Sequence, residues 1–304
     1  MKTIRASIKE YLSIRRALGY KLRITEKHLR GFATFLHRKQ SSRITTALAL
    51  EWATGALSDS RKQHCARLSA VRRFAEYRKV ADPKTEIPPA HILPYRSNRG
   101  TVHIYTSAEI RAVMRAFGSA YPTRFKNQTL TTVFGLLSAT GCRSGEVLRL
   151  SCADVDFKHK RLVIRFGKND KQRLAPLHAT TVKALRRYER QRNRFFRHPG
   201  TFFVSLAGTP VAYSELERGF VRVSKKIGLR AASAKHGPRV HDLRHTFAVK
   251  TILRWYKRNL PVEARLPILS AYLGHIKPSD TYWYLTGVPE LLALAAKRLP
   301  NLRS

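Results

Sequence analysis

Six side chains between residues 143 and 284 are of the types needed to cleave a phosphodiester without a metal. Arginine makes bidentate contacts with phosphate oxygens and keeps its charge at any working pH. Lysine and histidine can move protons, and a tyrosine surrounded by cations can act as a nucleophile. The set therefore predicts phosphoryl transfer with no cofactor and no metal. In chain order the six are Arg143, Lys168, His241, Arg244, His275 and Tyr284.

The sequence HDLRH allows a second interpretation of its histidines. His241, Arg244 and His245 are three and four residues apart and share one face of a helix. Histidines four residues apart also occur in zinc sites, but the glutamate of the HExxH motif and a third ligand nearby are absent from this sequence. A zinc site is therefore not favoured. A structural role that fixes a backbone group suits His245 better than His241.

The other candidates each have a simpler explanation. His275 follows Gly274, which would end a helix, and a histidine there can merely interact with the helix dipole. Lys168 lies at a hairpin tip, where a lysine usually serves solubility. Tyr282 and Tyr284 compete for the role of nucleophile, and either could be a half-buried packing residue.

The charge composition favours a polyanionic partner. The 304 residues include 59 Lys and Arg but only 19 Asp and Glu, which gives a formal net charge of +40 spread along the chain. Such a field attracts nucleic acid, although composition alone also fits a generally basic surface. Because 43% of the residues are hydrophobic, the chain can fold and is not a disordered basic arm.

Cysteine usage and hydropathy indicate the compartment. Cys65, Cys142 and Cys152 are far apart and form no CxxC pair, which fits a reducing cytoplasm and gives no disulfide or zinc framework. No apolar run approaches the ~20 residues of a membrane span, and the N-terminus has no apolar signal core. We therefore expect a cytoplasmic, nucleoid-associated protein.

The distribution of apolar residues and prolines divides the chain into three parts. Residues 1–81 have the periodicity of a helical domain, residues 82–105 form a proline-punctuated linker, and residues 106–304 form a second domain. In the first domain Thr46 and Ser60 are the predicted caps of its third and fourth helices. The helices begin almost at the first residue, so a further N-terminal domain is not expected.

The second domain is predicted to be mainly α-helical with a small antiparallel β-sheet. Thr106 to Glu109 has the pattern of a capping box, and Gly141 is predicted to turn the chain between a helix and a short helix from Ser144 to Leu150. Three short strands are predicted at Val155–Phe157, Leu162–Phe166 and Arg173–Leu177, with a turn at 167–170. Helices are predicted at about 127–139, 178–194, 213–227, 240–256, 262–273 and 288–298.

Five motifs in order resemble those of the tyrosine recombinases, the lambda-integrase type of site-specific DNA recombinase. ATGCRSGEVLRL resembles the box of the first catalytic arginine, with Arg143 as that arginine and Glu146 as the acidic residue three positions later. FGKNDKQRLAPLH resembles the β-hairpin box that carries the catalytic lysine, which corresponds to Lys168.

The remaining motifs extend the resemblance to the end of the site. HDLRHTFA resembles the family's second box and aligns His241 and Arg244 with it. LGHIKPSDTYWY resembles the third box and contains His275. The family's T-x-x-Y spacing fits Thr281 and Tyr284, which decides against Tyr282 as the nucleophile.

The resemblance implies a role for each member of the set. The tyrosine would attack the scissile phosphate, form a 3′-phosphotyrosyl link and release a 5′-hydroxyl. Arg143, Arg244 and His275 would hold the phosphate and stabilise its transition state. His241 would take the tyrosine proton, and Lys168 would protonate the leaving oxygen. A 5′-hydroxyl of a partner strand would then reverse the step through a Holliday junction.

The resemblance also implies an assembly. A helical core-binding domain and a mixed α/β catalytic domain would form a C-shaped clamp on double-stranded DNA. Four copies, with or without related recombinases, would form the synapse. An amphipathic tail helix at 288–299 would dock on a neighbouring protomer, whereas for a generic enzyme it would fold back onto its own domain, and both arrangements stay open.

Two other functions remain open from the residues. A type IB topoisomerase shares this chemistry but rejoins its own strand, and a non-catalytic DNA-binding protein would use the same charges only for phosphate contact.

Overall fold

The computed structural model describes residues 3–55, 60–94, 102–165, 172–197, 199–234, 236–274 and 281. The chain divides into two compact units, residues 1–100 and 101–304. The described parts of both are mostly helical, and the second unit contains a small antiparallel sheet, which confirms the predicted fold class. The limits of the predicted linker stay a prediction. None of the described helices is long and apolar enough to cross a membrane.

The described part of the first unit is built from four helices. Their apolar faces meet in one core around Phe32, Trp52 and Phe74. Ser60 begins the fourth helix through a capping box with Gln63, as predicted. The helices are α1 (Ile4–Ala17), α2 (Arg23–Arg38), α3 (Thr46–Thr54) and α4 (Arg61–Lys79).

The predicted cap of α3 is wrong by one residue. The cap is Thr45, whose extended backbone has φ −114° and ψ 156° and whose hydroxyl accepts from the Leu48 amide at 3.2 Å. Thr46 is already helical, and its amide donates to the Glu86 carboxylate at 2.8 Å. Two adjacent threonines are equally good caps in a sequence, so this contact with a residue far along the chain identifies the helical one.

The proline-containing stretch from 82 to 94 has no helix or strand. Ile87 and Leu93 pack against the core of the first unit, and the Cys65 sulfur lies 3.3 Å from the Leu93 carbonyl oxygen. This stretch is therefore attached to the first unit as far as residue 94.

Helices also dominate the second unit. Thr106 caps α5 through a capping box with Glu109, as predicted. The short helix after Gly141 ends at Val147 and not at Leu150, and a 3₁₀ turn over Cys152–Asp154 follows it. The helices are α5 (Ser107–Gly118), α6 (Arg124–Thr140), α7 (Ser144–Val147), α8 (Ala179–Phe195), α9 (Tyr213–Lys226), α10 (Asp242–Lys257) and α11 (Val262–Leu273). The predicted helix at 288–298 lies outside the described residues.

Three short antiparallel strands form the sheet in the order β1-β2-β3. They are β1 (Val155–Asp156), β2 (Arg161–Ile164) and β3 (Arg173–Pro176), each within two residues of its predicted limits. Val155 pairs with Leu162, and Ile164 pairs with Arg173. The predicted turn at 167–170 lies outside the described residues.

Helix α6 is central to the second unit, because it packs against α5, α8 and α10. The main core surrounds it and includes Phe117, Phe134 and Tyr188, each fully buried. Burying such a side chain contributes about 1.5–3 kcal/mol. The Tyr272 hydroxyl donates to the Thr140 carbonyl oxygen at 2.8 Å, so the C-terminal ends of α6 and α11 are held together.

We expect Gly141→Ala to destabilise the second unit by about 2–4 kcal/mol. Gly141 has φ +63°, and an added Cβ would lie 2.7 Å from the Phe247 ring. Its carbonyl also accepts a hydrogen bond from Arg244. The free energy of unfolding in denaturant measures the effect. Gly118→Ala is the control, because a Cβ at Gly118 meets no atom within 4 Å. Equal effects of the two substitutions would contradict the prediction.

Candidate active site

Three arginines converge on the C-terminal end of α11. The Tyr272 carbonyl oxygen accepts from Arg173 Nε at 2.7 Å. The Leu273 carbonyl oxygen accepts from Arg244 Nη2. The Gly274 carbonyl oxygen accepts from Arg143 Nη2 at 2.8 Å. The last carbonyls of a helix have no partner within the helix and carry a partial negative charge, so guanidinium groups satisfy them well.

Glu146 binds two of these arginines and fixes their orientation. Its carboxylate is 2% exposed and accepts from Arg143 Nη1 at 3.0 Å and from Arg173 Nη1 and Nη2 at 3.0 and 2.6 Å. Burial alone would raise the pKa of Glu146, but the hydrogen bonds and charge of Arg173, and then the bonds from Arg143, hold this pKa below its usual range. The carboxylate is therefore ionised at neutral pH.

Local sequence explains the position of the first arginine. Gly141 ends α6 in a left-handed conformation, and two residues later Arg143 caps the short helix α7. The Arg143 amide donates to Glu146 Oε2 at 2.9 Å. Backbone and guanidinium of Arg143 thus bind the same carboxylate. Its side chain remains 26% exposed.

Arg244 reaches the same place from α10. It lies in the first turn of that helix and is 3% exposed. Besides Leu273, it bonds the Gly141 carbonyl oxygen through Nη1 at 3.1 Å. This buried guanidinium therefore connects the end of α6 to the end of α11.

Two neutral histidines accompany Arg244. His241 precedes α10, and its ring lies 5.1 Å from that of His245, nearly perpendicular to it. Burial, and then the charge of Arg244, lower the pKa of His241. Burial, and then the charge of His241, lower the pKa of His245 to about 4. At neutral pH both rings are uncharged, so His241 can accept a proton.

The structure unites only part of the predicted set. Arg143 and Arg244 bind successive carbonyls, and His241 lies three residues before Arg244. Lys168, His275 and Tyr284, as well as the competing Tyr282, lie outside the described residues. Thr281, the threonine of the T-x-x-Y spacing, is described and buried. Within the described ranges no group of three His, Cys, Asp or Glu side chains could hold a metal ion.

Arg173 is the residue that sequence reasoning missed as part of the site. Its strand reads RLAP, in which alternation would bury the leucine, yet Leu174 is exposed and Arg173 faces Glu146. The position of Glu146 in the sequence could have indicated this contact. Glu146 lies between apolar residues, so its carboxylate is expected to be buried. A buried carboxylate whose only partner is a partly exposed arginine needs a second cation.

Comparison with known proteins places this geometry in a family. The profile described as "Phage integrase family" matches residues 104–287. An integrase/recombinase of Sinorhizobium fredii, y4rB, is 42% identical, with 98% of each chain covered. A tyrosine recombinase of Thermosipho africanus is 26% identical over 91% of this chain and 92% of its own.

Solved structures show the same fold. The Tn1549 transposon integrase in complex with transposon right end DNA has a TM-score of 0.67 at 14% identity, covering 98% of this chain and 99% of that one. A lambda integrase dimer bound to a COC′ core site has a TM-score of 0.58 at 18% identity, with 93% and 77% covered. The chain belongs to the phage integrase family, whose members are tyrosine-type site-specific recombinases.

We expect the Arg173–Glu146 pair to show a large coupling energy in the free energy of unfolding. The pair is bidentate and its side chains are only 11% and 2% exposed, so either single substitution leaves a buried charge with too few partners. A cycle of Arg173→Gln, Glu146→Gln and the double variant should give about 2 kcal/mol or more.

The pair of Arg161 and Asp156, 3.0 Å apart and with side chains 39% and 21% exposed, is the more solvated control. The same cycle there should give less than about 1 kcal/mol. If the effects of the Arg173 and Glu146 substitutions on the free energy of unfolding are additive, the bidentate contact does not stabilise the fold.

A second prediction concerns pH. The pKa of His245 is about 4 when folded, below its usual value near 6.5, so between these pH values the unfolded chain binds a proton that the folded chain does not. The contribution of the neutral His245 ring to the free energy of unfolding is complete above about pH 6.5 and is lost as the pH falls toward about 4. The free energy of unfolding should be lower at about pH 5 than at about pH 7.5, and His245→Gln should reduce this difference by roughly 1–2 kcal/mol. This figure allows for the partial solvent exposure of the histidine. The exposed His236→Gln, which should change little, is the control.

Proposed function

We propose that this recombinase cleaves and rejoins DNA strands through a 3′-phosphotyrosyl intermediate formed by Tyr284. The nucleophile would attack the scissile phosphorus, and the bond to the 5′-oxygen would break. A 5′-hydroxyl from a partner strand would then attack the phosphotyrosine and release the tyrosine. The number of phosphodiester bonds is unchanged, so no external energy source is required.

The observation that carries this proposal is the arginine cluster at the end of α11. Three guanidinium groups meet there, and the carboxylate of Glu146 binds those of Arg143 and Arg173. Arg143 is the partly exposed member and can contact a phosphate, while Arg244 adds its charge from within the protein, where the dielectric constant is low. Such fixed charge stabilises the pentavalent transition state without reorganisation.

We assign the two proton transfers to His241 and Lys168. The lowered pKa of His241 supports its role as the acceptor of the tyrosine proton, because an acceptor must be neutral at working pH. We assign protonation of the 5′-oxygen to Lys168. His275 directly follows Gly274, whose carbonyl binds Arg143, and we assign it a hydrogen bond to the phosphate.

Double-stranded DNA is the proposed substrate, and the first unit is the proposed core-binding domain. The formal net charge of +40 supports a polyanionic substrate. The Tn1549 integrase structure holds transposon right end DNA, and the lambda integrase dimer holds a core site. By the same analogy we propose a tetrameric synapse with a Holliday junction, in which the tail at 288–299 docks on a neighbouring protomer.

We expect Tyr284→Phe to bind DNA but to form no covalent adduct, because the phenolic oxygen is the attacking atom. The test is to express the protein, denature it, capture DNA that remains attached and sequence the 3′ ends. Tyr282→Phe is the matched control and should keep the adduct. Recombinant joints in the recovered DNA would show strand exchange, and unrearranged joints would indicate topoisomerase-like rejoining.

Two outcomes would overturn the assignment. An adduct that persists in Tyr284→Phe and disappears in Tyr282→Phe would transfer the role to Tyr282. If the wild-type protein binds DNA but yields no adduct on any of it, the protein binds DNA without cleaving it.

A further inference from the structure

The outward face of α8 carries a row of exposed basic side chains. Lys183, Arg187, Arg190 and Arg194, which we call the α8 basic row, are spaced four, three and four residues apart. This spacing places them on one face of the helix within about 16 Å. The opposite face buries Val182, Leu185 and Tyr188 in the main core, so the fold fixes the direction of the row.

The row has no neutralising partner among the described residues. No carboxylate of the described ranges forms an ion pair with its four side chains, and Glu189, the acidic residue of the helix, lies 3.9 Å from the buried Arg192 instead. Like charges three and four residues apart destabilise an isolated helix by about 0.2–0.5 kcal/mol per pair. The row is therefore a one-signed surface that an added polyanion would stabilise.

A groove with an apolar floor and several polar side chains borders the row. The cavity between α6 and α8 has a volume of about 640 Å³. Lys183 and Arg187 of the row line it together with Arg124 of α6, and Gln128 adds an amide donor. The Thr131 hydroxyl, which donates to the Asn127 carbonyl oxygen at 2.8 Å, can only accept there. Cations beside neutral donors are the combination that proteins use on phosphate and sugar oxygens of nucleic acids.

The row leads away from the arginine cluster. Phe195, at the C-terminal end of α8, contacts the ring of Phe125 at the N-terminal end of α6 with centroids 5.6 Å apart, so the two helices are antiparallel. Arg194 is thus at the end of α6 opposite to Gly141, about 24 Å along that helix. A duplex lying on the row therefore extends several base pairs beyond the cleaved phosphate, at ~3.4 Å per pair.

We propose that the α8 basic row binds the sugar-phosphate backbone of duplex DNA outside the segment that is cleaved. The proposal rests on the proposed function for the presence of DNA, but it assigns a separate surface. A row of about 16 Å matches half a turn of B-DNA, which has a pitch of ~34 Å. A membrane surface fits less well, since membrane-bound helices need an apolar face and the apolar face of α8 is buried in the core.

The test compares a row variant with a charge-matched control. The row variant carries K183Q, R187Q, R190Q and R194Q. The control carries R111Q, R115Q, R218Q and K226Q, which remove the same charge from exposed positions of the same unit. Both should keep the wild-type melting temperature, and the row variant should even gain slightly because helix repulsion is relieved.

Binding to a mixed-sequence duplex of about 60 base pairs is measured by fluorescence anisotropy over a range of salt concentrations. The row variant should reduce the slope of log K against log salt by roughly 3–4 and weaken binding at least ~10-fold near 0.1 M salt, because each lost phosphate contact contributes about 0.9 to the slope. The control should change the slope by less than about 1.

A second arm uses the site recovered from the covalent adduct, either trimmed to its core or extended by about two helical turns, ~20 base pairs, on each side. The row variant should form the adduct normally on the trimmed site and lose affinity only for the extended one. Equal losses on both duplexes would place the row at the cleaved segment and overturn the proposal.

Three further results would also overturn the proposal. The first two are an unchanged salt slope in the row variant and an equal loss of DNA affinity in the control. The third comes from measuring binding to phosphatidylserine vesicles and to poly-glutamate in parallel: a row variant that loses affinity for these but not for DNA. If no protein forms an adduct, the proposed function fails, while the salt slopes still decide whether the row binds DNA.

Discussion

The hydrogen bonds from three arginines to the last three carbonyls of α11 determine the arrangement of the second unit around the site. Each arginine comes from a different element: Arg143 from the turn after α6, Arg173 from β3 and Arg244 from α10. The last carbonyls of a helix have no partner within the helix and require donors from elsewhere. By binding these carbonyls, the three arginines connect the turn after α6, β3 and α10 to the end of α11. A change in any one element would therefore alter the positions of the other two guanidinium groups.

The charges at this point are held by hydrogen bonds to one carboxylate and to the helix end. Glu146 neutralises one positive charge and orients two guanidinium groups, while the helix end contributes only partial negative charge. Burying charges is unfavourable unless they are paired and hydrogen-bonded. Glu146 therefore fixes the orientation of Arg143 and Arg173. Under the proposed function, the partly exposed Arg143 would bind the scissile phosphate.

Sequence patterns predicted the parts of this site that depend on local rules. Gly141 and Gly274 are both left-handed residues at helix ends, and HDLRH places His241 and Arg244 one turn apart. Arg173 could not be predicted in the same way, because its burial depends on the carboxylate of Glu146, which lies 27 positions away in the sequence. The cap of α3 failed for the same reason, since a contact with Glu86 distinguishes Thr46 from Thr45. Local propensity is therefore sufficient for the helices and motifs, while long-range electrostatics decides the network between them.

The arginine cluster and the α8 basic row use positive charge in two physically different ways. At the end of α11 the guanidinium groups are hydrogen-bonded, and they range from the buried Arg244 to the partly exposed Arg143, so salt screens them less than surface charges. On α8 the cations are exposed, so their proposed attraction for phosphate would come from counterion release and would weaken steeply with salt. A buried cluster can discriminate a transition state from a ground state, whereas an exposed row can only recruit and orient a duplex. Under the proposed function, the +40 charge of the chain is compatible with selective chemistry because the fixed, hydrogen-bonded arginines at the end of α11, and not the exposed cations of α8, would bind the reacting phosphate.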